Sequence, residues 1–273
     1  MNFIHIIINS SLWICFSLSH SLQAQIIQDS WRFKDTIHIS ADQVFMDQLS
    51  RIFVFSAKEK KLSIVDQLSN PLVVHTNRDF SKNTFIDASN PYKILIYYPE
   101  ASRIQFLDKF LAVLTERNIG EMSQSDAVGV NTGGELMYFK DSRIHIEQIS
   151  PVEPIESQSI FFDRTDAYLG GVKLMQCQQN YFLLIPGKGL MIFDSFLNLV
   201  GEYSNHEIKL IMTDRNEIYL SNGIDIFVWD LKKHEAIAIF HSHEPIQSFA
   251  IMGQKLLICD ERHRVILYEN QNR

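Results

Sequence analysis

From Trp31 onward, short apolar runs alternate with clusters of Gly, Pro, Asn, Asp and charged residues, and helical periodicity is almost absent. This pattern predicts closely spaced β-strands joined by tight turns. The runs recur in step. One set, at 62–66, 104–108, 144–147, 191–194, 227–230 and 266–269, ends each time in an acidic residue: Asp66, Asp108, Glu147, Asp194, Asp230 and Glu269. Successive acidic positions lie 42, 39, 47, 36 and 39 residues apart, a period typical of four-stranded repeats. A second set, at 51–55, 93–97, 135–139, 181–185, 217–220 and 255–258, precedes the first by 11 to 14 residues. A third, at 44–47, 84–87, 128–131, 173–176, 209–212 and 249–252, comes before that. Weaker fourth runs follow, such as 72–75 and 236–239, so each unit reads as four strands.

The sixth unit ends after its third strand, and the segment 36–40 (TIHIS) ahead of the first unit can supply the missing fourth. Pairing the two ends removes an exposed sheet edge. The expected fold is therefore an all-β, six-bladed β-propeller with four-stranded antiparallel blades, closed by an N-terminal strand. A two-sheet sandwich has no reason to repeat every 41 or so residues.

Trp229-Asp230 echoes the Trp-Asp dipeptide of WD40 repeats, and over residues 31–270 the units resemble propellers of the NHL, YVTN and WD40-like group. The stretches 89–95 (SNPYKIL) and 188–194 (KGLMIFD) resemble segments of uncharacterised exported propeller proteins of gram-negative bacteria. That resemblance implies no established activity, and the fold by itself does not decide one.

Composition adds the compartment. No Lys, Arg, Asp or Glu precedes Asp29, and an apolar stretch at 4–18 is followed by a polar one ending in Ala24. Residues 1–24 are read as a signal peptide and 25–273 as the propeller, which places the protein in the periplasm or at the outer membrane, with no transmembrane segment in the mature chain. Cleavage would leave Cys177 and Cys259, two small hydrophobes in separate strands rather than a disulfide. The chain is 273 residues long with a net charge of -7, which argues against nucleic acid as a partner.

Candidate chemistry falls on two faces. The turns between second and third strands carry nine Lys/Arg (Lys58, Lys60, Lys61, Arg103, Lys140, Arg143, Lys188, Arg262 and Arg264) against six Asp/Glu. Such a basic rim would dock an acidic patch of another envelope protein or an anionic glycan; the alternative is that charged turns keep strand edges soluble. On the opposite face Asp47, Asp87 and Asp214 are the candidate catalytic carboxylates of a glycan-directed or metal-assisted hydrolase or lyase at the channel mouth. Acidic residues at strand ends also cap the turns that follow. His241 and His243 form a two-residue spacing that points two imidazoles one way along a strand, with His234 as a third ligand of a metal site. No nucleophile elbow, phosphate loop or zinc-type cysteine spacing is present. The expectation is an exported, monomeric, non-enzymatic interaction platform without a cofactor, and the carboxylate enzyme is the alternative.

Overall fold

The apolar runs form strands because each must bury side chains on both faces, and in a ring of blades every sheet has a neighbour on each side. The computed structural model describes residues 30–119, 125–147, 171–214 and 216–271, and the expected signal peptide lies outside them. Strand β1 (Trp31–Ile37) comes first. Blade 1 is β2 (Gln43–Met46), β3 (Ile52–Ser56), β4 (Lys61–Val65) and β5 (Pro71–Thr76). Blade 2 is β6 (Phe85–Asp87), β7 (Ile94–Tyr98), β8 (Arg103–Leu107) and β9 (Val113–Asn118). Blade 3 has β10 (Ala127–Val130), β11 (Leu136–Lys140) and β12 (Arg143–Glu147) among the described residues, and its expected fourth strand falls outside them. Blade 4 is β13 (Lys173–Cys177), β14 (Asn180–Ile185), β15 (Gly189–Phe193) and β16 (Leu199–Tyr203). Blade 5 is β17 (Leu210–Asp214), β18 (Glu217–Ser221), β19 (Asp225–Asp230) and β20 (Glu235–His241). Blade 6 is β21 (Ile246–Met252), β22 (Lys255–Asp260) and β23 (Val265–Asn270), and β1 adds its outer strand by pairing Trp31 with Asn270 and Ile37 with Val265. The molecule is a six-bladed β-propeller closed by its N-terminal strand.

Six apolar clusters sit one at each seam. Blades 1 and 2, for example, share Phe53, Phe55, Phe80, Ile94 and Tyr98, all buried. Blades 6 and 1 share Ile37, Val44, Val54, Leu257 and Val265, and blades 5 and 6 share Trp31, Tyr219, Phe249 and Ile258. The closing strand thus sends Trp31 into one seam and Ile37 into the next. Each such side chain contributes about 1.5–3 kcal/mol by burial. Cys177 and Cys259 are buried free thiols in different seams. Burial pushes Cys177 up to about 11 and Cys259 up to about 12, so neither is a ready nucleophile.

Polar links reinforce the seams at the spacing of the repeat. Arg51 Nη2 donates to Pro91 O (2.9 Å), Val130 N to Asp87 Oδ2 (3.2 Å), Thr132 N to Gln176 Oε1 (2.6 Å), and Gly253 N to Asp214 Oδ2 (3.1 Å). The separations are 40, 43, 44 and 39 residues, so each joins equivalent levels of consecutive blades.

Candidate functional site

A propeller has two faces. Here the link face carries the connections between blades and the second-to-third turns, and the turn face carries the remaining turns. Between them runs a central cavity of about 650 Å³, walled by inner strands. Asp42, Gln43, Lys173, Gln247 and His263 stand toward its link-face end, Phe45, Phe85, Met175 and Met212 line its length, and Asp87 and Thr213 mark the turn-face end.

The three candidate carboxylates share the turn face, and Asp47 and Asp87 are occupied with their own surroundings while Asp214 is so only in part. Asp47 is fully buried; its Oδ1 accepts from Leu49 N and Arg51 N, both at 3.0 Å, and its Oδ2 meets Arg51 Nε at 2.6 Å. Asp87 lines the cavity and accepts from Ser89 N (2.9 Å) as well as Val130 N. Asp214 is buried and tied to blade 6 through Gly253, with Oδ1 lacking a hydrogen-bond partner.

The acidic residues ending third strands close a recurring five-residue turn. In it the Asp Oδ1 accepts the amides two and four residues on: Leu68 and Asn70 for Asp66, Phe110 and Ala112 for Asp108, Phe196 and Asn198 for Asp194. The fourth position adopts a left-handed backbone at Ser50, Ser69, Leu111 and Leu197. Asp230 caps its turn through Lys232 N (2.8 Å) and Lys233 N (3.1 Å), so the Trp-Asp dipeptide ends in a cap while Trp229 is buried against Tyr203.

The cap forces the third residue of the turn outward, and that residue is apolar: Leu49, Leu68, Phe110 and Phe196 are 52%, 78%, 62% and 74% exposed. Tyr92, third after the capping Asn90, is 61% exposed. Three of these tips cluster around one side chain. Arg51, held by Asp47, reaches into blade 2 and donates to Pro91 O beside Tyr92 and to Lys109 O beside Phe110. The turns bearing Leu49, Tyr92 and Phe110 are thus fixed by one guanidinium, and Val113 and Leu114 on β9 extend the exposed apolar surface. In the sequence this face is marked by its acidic residues. The signal for the tips was the repeated DxLxR, DxLxN, DxFxA and DxFxN at Asp47, Asp66, Asp108 and Asp194.

On the link face, several rim cations have intramolecular partners. Arg103 turns inward over Tyr98 (4.7 Å) and pairs with Asp79 and Glu116, both at 2.6 Å. Arg264 pairs with Asp260 (2.7 Å), Arg262 with Glu244 (3.2 Å), Lys61 with Glu59, and Lys60 donates to Phe80 O. Lys58 is exposed, Lys140 and Arg143 face each other across their turn, and Lys188 lies in the turn after β14.

The histidines do not converge. His241 Nδ1 lies 2.6 Å from Asp225 Oδ1, and the His241 and His243 rings are 6.2 Å apart. His234 stands against Trp229 at the other end of β20, whose seven residues span about 20 Å. It is no third ligand, and among the described residues no group of three His, Cys, Asp or Glu side chains is placed to hold a metal.

The solved structures this chain resembles are propellers. A streptogramin B lyase superposes with a TM-score of 0.55 at 11% identity, covering 89% of this chain and 88% of that one. The catalytically inactive virginiamycin B lyase from Staphylococcus aureus with quinupristin gives 0.57 at 8% identity, covering 88% and 99%. The Pan2 WD40 domain of Neurospora crassa gives 0.54 at 10% identity, covering 85% and 76%. At such identities the likeness is one of fold. No protein family and no curated protein matches the chain by sequence.

Proposed function

We propose that this propeller is a non-catalytic interaction platform of the bacterial cell envelope, and that it docks another protein on the apolar surface of blades 1 and 2. The observation that carries this reading is the triad Leu49, Tyr92 and Phe110, exposed yet fixed by Arg51. Exposed apolar side chains held by a polar frame are organised before binding, which lowers the entropy cost of association. Lys93 and Lys109 at its border favour a partner whose apolar site is edged by carboxylates. The rim cations Lys58, Lys60, Lys140, Arg143 and Lys188 then act at longer range, steering the encounter. A non-catalytic reading is further supported by Asp47 and Asp87, whose carboxylates already accept backbone amides.

Affinity purification from cell envelopes tests it with three proteins: wild type, Leu49→Ser/Tyr92→Ser/Phe110→Ser, and Lys58→Gln/Lys60→Gln/Arg143→Gln. A partner lost from the first variant and kept by the second, then reconstituted from pure components, supports the docking surface. Loss from the second alone moves docking to the basic rim. Retention by both sinks the proposal.

A further inference from the structure

Lys173 opens the inner strand of blade 4, and its side chain lines the central cavity. Its Nζ lies 5.1 Å from the centroid of Phe85, which belongs to blade 2. The side chain reaches past blade 3 because β10 is Ala-Val-Gly-Val, and no β10 residue lines the cavity. Phe85, Met175 and Met212 line the channel beside it, while Asp42, Gln43, Gln247 and His263 share its link-face end. No described carboxylate forms an ion pair with it. Asp42 is engaged by Ala57 N (2.7 Å) and faces His263, and Asp87 is engaged by Ser89 and Val130. Glu261 and Lys82 are exposed at the mouth. Burial pushes the Lys173 ammonium below its ordinary range. The Lys173 side chain is half-buried against this apolar wall, and an ammonium there without a counter-charge gains from a ligand anion.

The geometry points to a ligand site in the channel: Lys173 binds the carboxylate of a small amphiphilic acid whose apolar body lies on Phe85, Met175 and Met212. The cavity volume is that of a site for one small organic molecule. Entry is through the link-face mouth, where the Gln43 and Gln247 amides are held by the Thr84 and Asp42 carbonyl oxygens. This site is separate from the docking surface of blades 1 and 2, so either can fail without the other.

Isothermal titration of the full chain with phenylbutyrate, and with phenylbutanol as its uncharged counterpart, tests the site. The acid should bind at least about tenfold more tightly than the alcohol, and Lys173→Met should lose about tenfold or more. His263→Gln should keep the preference for the acid over the alcohol, which separates Lys173 from His263 at the same end of the channel. Lys232→Met, on the exposed turn between β19 and β20, should bind like wild type. Thermal melting checks the fold of the variant, and Lys173→Gln replaces it should Lys173→Met not fold. Equal binding of acid and alcohol, unchanged binding by the Lys173 variants, or no binding of the acid at about 5 mM overturns the proposal.

Discussion

Asp47 holds Arg51 through Oδ2, which lies 2.6 Å from both Nε and Nη2, and the Asp47 side chain is fully buried while the Arg51 side chain is 21% exposed. This pair belongs to blade 1, yet it organises the turns of blade 2. Arg51→Leu leaves the Asp47 charge buried and unpaired, which is expected to cost about 3–5 kcal/mol. Asp47→Asn/Arg51→Leu should recover part of that loss, because it removes the stranded charge. Arg51→Lys keeps the charge and loses the fork, so it should fall between the two. Urea unfolding of the three variants checks the order.

Gly129 lets β10 lie close against the inner strand of blade 4. A Cβ built there would meet Met137 Cε at 2.8 Å and the Leu174 carbonyl oxygen at 3.0 Å. The methionine tip can move; the carbonyl, part of the inner strand of blade 4, cannot move without shifting β13. Gly129→Ala is expected to destabilise by about 1–3 kcal/mol. A melting temperature equal to wild type would show that β13 gives way more easily than this packing implies.

Much of the ring was legible because a seam core demands it. Every blade must present apolar residues to two neighbours, so strands at 51–55, 93–97 and 181–185 repeat with the period of the fold. The caps at Asp66, Asp108 and Asp194 were legible for a local reason: they bind amides within four residues. Groups acting across seams were not. Asp87 meets Val130 and Arg51 meets Lys109 only once consecutive blades pack, and a carboxylate that bridges two blades looks the same in sequence as a catalytic one. Lys173 reads as the first residue of an ordinary strand until β10 proves too slender to screen it from Phe85.

The capped turns carry a pH signature. The Asp66 carboxyl is held below its ordinary 3.8 chiefly by the Asn70 side-chain amide, and Asp194 likewise by Asn198. Asp230 is lowered mainly by the Lys233 amide. Each binds its proton less readily folded than unfolded. Its stabilisation is therefore complete above 3.8 and disappears as the pH falls through the lower folded value. Asp66→Asn/Asp194→Asn/Asp230→Asn should flatten the fall of melting temperature across that acid range and leave the neutral plateau lower than wild type. Melting curves between about pH 5 and pH 2 check both features.

Asp214 separates a structural carboxylate from a reactive one. Its Oδ2 accepts the Gly253 amide at 3.1 Å, one blade away, while the buried Oδ1 has no hydrogen-bond partner. A buried carboxyl group with one oxygen unused is an expensive way to hold one amide. Asp214→Asn keeps an acceptor for Gly253 and removes the charge, so it should be at least as stable as wild type. Asp214→Ala orphans the Gly253 amide and should cost about 1–3 kcal/mol. Hydrogen exchange at Gly253 reads the contact directly: protection should survive in the Asn variant and fall in the Ala variant. Equal protection in both would mean that the seam between blades 5 and 6 is held by its apolar cluster of Tyr219, Phe249 and Ile258 without help from this bond.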